Sequence, residues 1–86
     1  MANYKIYFKR SVEKDLNSIP AKDVQRVMDR IRQLANNPRP PECEKLTGEP
    51  RYRLRQDKYC ILYSIQDKDL IIWIIKVAHR KDVYRY

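Results

Sequence analysis

The chain has 86 residues, a formal net charge of +8 and a hydrophobic fraction of 43%, which indicates a small basic globular protein rather than a disordered or low-complexity one. A chain this short has room for one small core, so we expect a single domain over residues 1–86. Its most apolar run, Leu70 to Ile75, is far shorter than the ~20 residues of a membrane-spanning helix.

The cysteines and the N-terminus indicate a reducing compartment. Residues 1–10 contain no apolar segment of signal-peptide length, so we expect a cytoplasmic protein. Cys43 and Cys60 are too few for the disulfide framework of a small secreted domain, and we expect both as reduced thiols. His79 is the single histidine, and no Cys/His spacing suits zinc, so neither a metal nor another cofactor is predicted.

The first half of the chain predicts a strand followed by two helices. Residues alternate in character from Tyr4 to Lys9, which predicts a strand over about residues 3–9. Ser11 suits an N-cap, and apolar residues at i, i+4 and i+7 predict a short helix that ends near Ile19. Pro20 opens a second helix. Its apolar stripe is Val24, Val27, Met28, Ile31, Leu34 and Ala35.

The second half predicts strands only. Prolines break the helix after residue 36, and an extended connection runs to about residue 50. Period-two patterns then predict strands over about 51–55, 58–66 and 70–77, and the last is apolar on both faces, as in a central strand. The predicted fold is α+β: an N-terminal strand, a two-helix hairpin and a three-stranded antiparallel meander, with the helices packed on the sheet.

Two basic segments are candidates for a functional site. Arg51, Arg53 and Arg55 share one face of a strand, where an anionic ligand would relieve their repulsion; the alternative is a solvated edge strand that resists aggregation. Residues 79–86 combine cations, an imidazole and two phenols, which could bind phosphate, stack on bases and move a proton; the alternative is a basic tail without function. With the net charge, these segments favour RNA as the polyanion.

The remaining candidates have structural interpretations. Trp73 lies in the predicted central strand, so we expect it in the core rather than as a stacking platform. Neither cysteine has an identifiable activating neighbour, and Cys60 on a strand is expected to be a buried small side chain rather than a nucleophile.

The order of elements and five short segments resemble the RelE/ParE toxin superfamily, and most of all its RelE branch. The segments are Asn37–Pro41, Lys45–Gly48, Tyr52–Arg55, Tyr59–Tyr63 and His79–Arg85. The resemblance covers nearly the whole chain. It implies a toxin of a type II toxin–antitoxin system that cuts mRNA in the ribosomal A site. In such toxins the ribose 2′-OH attacks the adjacent phosphate without a metal. It also implies three partners: the ribosome, mRNA and a cognate antitoxin protein.

The resemblance also implies roles for individual residues. Arg53 and Arg55 match cations that contact phosphate, and Arg80 matches the arginine expected at the scissile phosphate. Tyr84 matches a C-terminal tyrosine that moves a proton or stacks on a base, with Tyr86 as the alternative. The other candidates are His79 for acid/base chemistry and, for RNA contact, Lys45, Arg51, Lys58, Lys81 and Arg85.

One position departs from the family pattern. Relatives usually carry an arginine directly after the tyrosine of the second sheet segment, where this chain has Cys60 after Tyr59. Losing one such donor typically costs ~3–4 kcal/mol of transition-state stabilisation. The alternatives are that Lys58 reaches into the site, that the toxin is weakened, or that the chain is a variant selected or engineered for tolerable expression. A homologue that acts only through antitoxin binding is a separate functional alternative. A gyrase inhibitor of the ParE branch is a further alternative.

Overall fold

The structure, a computed structural model, describes residues 3–80, which form a five-stranded sheet with two helices on one face. In chain order the elements are β1 (Lys5–Phe8), α1 (Arg10–Asn17), α2 (Ala21–Leu34), β2 (Glu44–Lys45), β3 (Tyr52–Gln56), β4 (Tyr59–Gln66) and β5 (Ile71–His79). The predicted α+β class and the helices packed on the sheet are confirmed. Neither described helix has the length and apolar character needed to cross a membrane.

The sheet order is β1-β5-β4-β3-β2, and it is mixed rather than purely antiparallel. Strands β3, β4 and β5 form the predicted antiparallel meander. Strand β1 runs parallel to β5, with Lys5 opposite Ile71 and Phe8 opposite Ile74. The helical hairpin makes this possible, because it carries the chain away from the edge before the meander returns to it. The prediction that β5 is an interior strand is confirmed.

Strand β2 is a correction to the predicted connection between residues 36 and 50. It pairs antiparallel with β3, placing Glu44 opposite Arg53 and Lys45 opposite Tyr52. Two residues are too few to show a period in the sequence, so the pattern alone reads as a loop. The short strand matters because it brings a carboxylate to the side of an arginine.

The helix boundaries differ by a turn or less from those predicted. Helix α1 begins at Arg10, with Lys9 rather than Ser11 at the N-cap position, and ends at Asn17. Pro20 occupies the N-cap of α2, one position before the first helical residue. No side chain caps either N-terminus.

The two faces of the sheet have different surroundings. On the helix-facing side the buried residues form one cluster: Val12, Val27, Ile31 and Leu34 from the helices against Leu54, Tyr59, Ile61, Tyr63, Ile72, Ile74 and Val77. On the other side, which we call the open face, Cys60 and Leu62 are buried, and Leu46, Ile75 and Ala78 pack against them. Side chains alternate between the two faces along each strand, so the register decides which residues can meet.

A carboxylate of α1 closes the part of the β5 edge that β1 does not reach. Strand β1 ends opposite Ile74. Beyond it, the backbone N–H of Val77 donates to Oδ2 of Asp15 at 3.2 Å, and the Lys76 amine lies 3.4 Å from Oδ1. A strand edge in this position would otherwise offer unpaired donors, and Asp15 satisfies one of them.

Candidate functional site

Two of the predicted arginines extend from β3 onto the open face. Arg53 is opposite Leu62 and Arg55 is opposite Cys60 in the β3–β4 ladder, and both of these partners face away from the helices. The Arg53 guanidinium donates to Oε2 of Glu44 at 2.7 Å, and this hydrogen bond is the main reason that the pKa of Glu44 falls below its ordinary value. Strand β2 therefore orients Arg53, whereas Arg55 is exposed.

Arg80 joins these arginines from the end of β5. Its backbone N–H donates to the carbonyl oxygen of Lys58 at 2.7 Å, which fixes its position beside the start of β4. Burial raises the pKa of the Cys60 thiol, and the positive charges of Arg53, Arg55 and Arg80 oppose that rise without cancelling it. Arg53, Arg55 and Arg80 therefore all lie close enough to Cys60 to act electrostatically on its thiol, and we call these three residues the arginine cluster.

The arginine cluster has the chemistry of a phosphate site. Guanidinium groups donate paired hydrogen bonds whose geometry matches phosphate oxygens. Cations fixed near a phosphate also stabilise the negative charge that develops when it is attacked. Among residues 3–80, no group of three or more histidine, cysteine, aspartate or glutamate side chains is arranged to hold a metal ion.

His79 lies on the opposite side of the sheet from Arg53 and Arg55. It pairs with Tyr59 in the β4–β5 ladder, and the two rings meet edge to face with centroids 6.0 Å apart. The Tyr59 hydroxyl donates to Oδ2 of Asp23 at 2.8 Å, and this bond is the main reason that the pKa of Tyr59 is raised. The imidazole therefore faces the helices, and the structure does not bring it together with the β3 arginines.

Lys58 also belongs to the helix-facing side. Its amine lies 5.8 Å from the centre of the Tyr59 ring. Together with His79 and Asp15 it lines a cavity of about 440 Å³ between the helical hairpin and the end of the sheet. The sequence analysis considered that Lys58 could reach toward the position of Cys60. This geometry argues against that, because the Lys58 amine lies on the helix-facing side and Cys60 on the open face.

The remaining predicted cations are distributed along the sheet. Arg51 precedes β3 and is exposed, and Lys45 is exposed on β2. The predicted site residues Lys81, Tyr84, Arg85 and Tyr86 lie outside the described residues.

Comparison with known proteins places this arrangement in a family. A family model described as the ParE toxin of the type II toxin–antitoxin system parDE matches residues 6–84. The archaeal RelE of a RelE–RelB complex from Pyrococcus horikoshii is 31% identical, with a TM-score of 0.81 over 91% of this chain and 96% of that one.

The chain belongs to the RelE/ParE toxin superfamily.

Two further members of the superfamily have the same fold. The toxin–antitoxin complex RelBE2 from Mycobacterium tuberculosis aligns with a TM-score of 0.82 at 24% identity, over 92% of this chain and all (100%) of that one. The RelB–RelE complex from Methanococcus jannaschii aligns with a TM-score of 0.73 at 26% identity, over 92% and 95%. The resemblance seen in the sequence is therefore confirmed.

Cys60 of this toxin-family chain is enclosed by its neighbours. Its side chain is 1% exposed, and Leu46 and Ala78 pack against it. The expectation of a small buried side chain is confirmed. A thiol in this position contributes no cation to the open face, so the charge of the face comes from the arginines around it.

The sequence interpretation missed a pair of aromatic rings on the open face. Trp73 was expected in the core, but it is only half-buried, belongs to neither buried cluster and stacks on Tyr7 with ring centroids 5.2 Å apart. The expectation was wrong because the apolar character of β5 on both faces suggested burial on both. The sequence did show that Tyr7 faces the opposite way from Ile6 and Phe8. That alternation could be linked to Trp73 only once the parallel β1–β5 register, in which Tyr7 is opposite Trp73, was known.

Proposed function

We propose that this chain is the toxin of a type II toxin–antitoxin system and acts as a ribosome-dependent mRNA endonuclease that cuts in the A site. The observation that carries the proposal is the convergence of Arg53, Arg55 and Arg80 around one point of the open face. Support also comes from the solved RelE relatives, which share the fold over more than nine-tenths of this chain.

The proposed reaction is an internal transesterification. The ribose 2′-oxygen attacks the adjacent phosphorus as the bond to the 5′-oxygen of the next nucleotide breaks. The products are a 2′,3′-cyclic phosphate and a 5′-hydroxyl, so one proton leaves the 2′-OH and one reaches the 5′-oxygen. The arginine cluster stabilises the additional negative charge on the phosphate oxygens, which makes a metal unnecessary.

The general base is chosen from His79, Tyr84 and Tyr86. The imidazole of His79 packs on Tyr59 on the helix-facing side, whereas the β3 arginines are on the open face. A base must come within hydrogen-bond reach of the 2′-OH. The position of His79 argues against its imidazole as the base, so we propose one of the C-terminal tyrosines for proton transfer.

We also propose a cognate antitoxin as the cellular partner and the cytoplasm as the location. RelE relatives have been solved in complex with RelB antitoxins. A net charge of +8 would favour an acidic protein that covers the basic surface. An adjacent gene for a small acidic DNA-binding protein would support this partner.

A second candidate function is inhibition of DNA gyrase. The family description that matches residues 6–84 is that of a ParE toxin, and Cys60 stands where the resemblance to the RelE branch implies an arginine. The same two facts are compatible with a weakened homologue that acts only through its antitoxin.

The test is translation-dependent mRNA cleavage. Purified chain is mixed with programmed ribosomes carrying a defined A-site codon, and the message is mapped by primer extension, with the same mRNA without ribosomes as the control. Cuts only in the presence of ribosomes, lost in Arg80→Ala, are expected. Absence of cuts by folded protein, together with inhibition of gyrase supercoiling, would replace the nuclease with the ParE-like activity.

A further inference from the structure

Two aromatic rings lie side by side on the open face, away from the arginine cluster. Tyr7 of β1 and Trp73 of β5 are register partners, and their rings stack with centroids 5.2 Å apart and planes inclined by 30°. Tyr7 is 42% exposed. The pair is held by the backbone pairing of two strands, so its position costs little further ordering when a ligand arrives.

Cations flank the ring pair. Lys9 and Arg51 line, together with Trp73, a groove of about 450 Å³ whose other walls include the polar side chains of Ser64 and Gln66. No acidic residue lines it among those described. The groove has the volume of an ordinary ligand site and combines an aromatic surface, positive charge and hydrogen-bonding groups.

The ring pair and the arginine cluster share one continuous face. Ser64 is opposite Trp73 and Cys60 is opposite Ala78, so the two features are separated by four residues of β4, or about 13 Å. Arg53 is the β3 member of the arginine cluster on the ring-pair side, since it is opposite Leu62 whereas Arg55 is opposite Cys60. A polymer that binds at one end of this face can therefore reach the other.

We propose that Tyr7 and Trp73, with Lys9 and Arg51, form a base-stacking subsite for a single-stranded RNA segment flanking the phosphate held by the arginine cluster. The proposal rests on the proposed RNA substrate. Aromatic side chains on a sheet stack on unpaired bases, and adjacent cations neutralise the backbone. A duplex would not suit the subsite, because its bases are already stacked on one another.

An acidic peptide is the competing occupant, and the arrangement favours RNA over it. Carboxylates would satisfy Lys9 and Arg51 but would leave the exposed Tyr7 ring in water. A nucleotide satisfies both at once, since its base covers the ring and its phosphate meets a cation. Stacking of this kind is tolerant of base sequence.

Trp73 is the only tryptophan of the chain, so its fluorescence reports on the subsite directly. The full chain is titrated with a short single-stranded 2′-O-methyl RNA, which has no free 2′-OH and is not cleaved. The matched ligands are an abasic phosphodiester of the same length and a glutamate peptide of the same charge. We expect quenching by the RNA and little by the abasic strand or the peptide.

Variants at neighbouring positions of β1 provide the matched control. Tyr7→Leu removes the exposed ring from the open face, whereas Phe8→Leu removes one of similar exposure (39%) from the helix-facing side. By polarisation of labelled RNA, we expect Tyr7→Leu to weaken binding about 5- to 150-fold and Phe8→Leu to change it little. Circular dichroism melting curves establish that both variants are folded.

The outcomes separate this proposal from the nuclease. Equal quenching by RNA and the abasic strand, stronger quenching by the peptide, equal effects of the two variants, or no RNA binding would each overturn the stacking subsite. Ribosome-dependent cleavage is measured on the same preparations. If the chain cleaves mRNA but Tyr7→Leu binds RNA normally, only the proposed subsite is rejected. If Tyr7→Leu weakens RNA binding but no cleavage occurs, the subsite stands and the nuclease proposal is rejected.

Discussion

At the scale of single residues, burial and the arginine cluster have opposite effects on the pKa of the Cys60 thiol. The side chain is 1% exposed, and burial raises its pKa more than the three arginines lower it. A thiol that is neutral and enclosed reacts slowly, whatever cations lie beyond it. The residue therefore shapes the floor of the arginine cluster and supplies no nucleophile.

Cys60 should consequently be the less reactive of the two thiols. In native protein treated with iodoacetamide, we expect Cys43, which is half-buried, to be alkylated before Cys60. In denaturant the two should react at similar rates, which is the control. Mass spectrometry of peptides quenched over time measures both. Faster native modification of Cys60 would mean that its thiolate is accessible.

Arg55 is exposed on β3 and offers a direct test of charge stabilisation by the arginine cluster. Arg55→Ala should lower the single-turnover rate of ribosome-dependent cleavage about 10²- to 10³-fold, the usual effect of removing one transition-state donor. Arg32→Ala is the matched control, because Arg32 is an exposed arginine on α2. If both variants cut alike, Arg55 has no part in the reaction.

The sequence predicted part of this arrangement of side chains, and the register of the strands explains the rest. Period two alone puts Arg53 and Arg55 on one face, and the structure agrees. Period two does not show which residues of β5 share a face with these arginines. The sequence analysis therefore grouped His79 with Arg80, although His79 faces the helices. Trp73 was misassigned because the run Leu70 to Ile75 is apolar, which suggested burial on both faces, whereas the open face has no helix to cover it.

At the scale of elements, Asp15 connects α1 to the edge of β5. It accepts a hydrogen bond from the backbone N–H of Val77, and the Lys76 amine lies beside it. Removing an acceptor from a partly buried donor leaves that donor without its partner, which costs more than the net value of a typical hydrogen bond.

We therefore expect Asp15→Ala to lower the free energy of unfolding by ~1–3 kcal/mol. Asp15→Asn keeps an acceptor oxygen for Val77 and should cost less. Glu13→Ala, an exposed position of the same helix, is the control. Urea titration followed by circular dichroism measures all three. A loss in Asp15→Ala no larger than in Glu13→Ala would show that the edge does not need this carboxylate.

A second connection fixes the proline-rich segment after α2. Arg39 donates two hydrogen bonds to Asp67 in the β4–β5 turn, at 3.1 and 2.9 Å, and a third to the Tyr52 hydroxyl at 3.0 Å. One residue earlier, the Pro38 carbonyl accepts a hydrogen bond from the buried Tyr63 hydroxyl at 2.7 Å. The connection thus follows the sheet rather than extending into solvent.

The Arg39–Asp67 pair makes stability depend on pH in a defined direction. The hydrogen bonds from Arg39, and then from Tyr4, lower the pKa of Asp67 below its ordinary 3.8. A carboxyl whose pKa is lower in the folded state stabilises the fold above its unfolded pKa, and this contribution is lost as the pH falls through the folded value.

Asp67→Asn should accordingly flatten the acid limb of the stability curve. We expect the loss of unfolding free energy below about pH 4 to be smaller in Asp67→Asn than in the wild type. Asp69→Asn, at an exposed position beside the same turn, is the control. Urea midpoints at a series of pH values measure the effect. Parallel curves for Asp67→Asn and wild type would contradict it.

The elements themselves were mostly predictable, and the exceptions have physical causes. The helices bury one face each, and the side chains of the meander strands alternate between the two faces of the sheet, so their periods are visible in the sequence. The two residues of β2 are stabilised by pairing with β3 and show no period. The sequence also did not show that β1 runs parallel to β5. That direction depends on the path of the helical hairpin and not on the residues of β1.

At the scale of the whole molecule, the two faces of the sheet carry different kinds of residues. The helix-facing side contains the main buried cluster, and the open face carries the arginine cluster and the ring pair. A net charge of +8 attracts any polyanion from all directions. What distinguishes the open face is that hydrogen bonds position two members of the arginine cluster. Glu44 accepts one from the Arg53 guanidinium, and the carbonyl oxygen of Lys58 accepts one from the backbone N–H of Arg80.

Salt dependence separates fixed contacts from diffuse attraction. Each phosphate neutralised on a single strand contributes about −0.7 to the slope of log K against log salt, so three arginines predict a slope of about −2. Arg55→Ala should reduce the magnitude of that slope by about 0.7. Arg53→Ala should reduce it less, because Glu44 already offsets part of the Arg53 charge.

Polarisation titrations of a 2′-O-methyl RNA at several salt concentrations measure these slopes. Arg32→Ala, on the helical side, should leave slope and affinity unchanged, and Tyr7→Leu should weaken binding without changing the slope, since a ring releases no counterions. If Arg32→Ala lowers the slope as much as Arg55→Ala, RNA binds the overall charge. In that case the open face would be no more than one part of a basic surface.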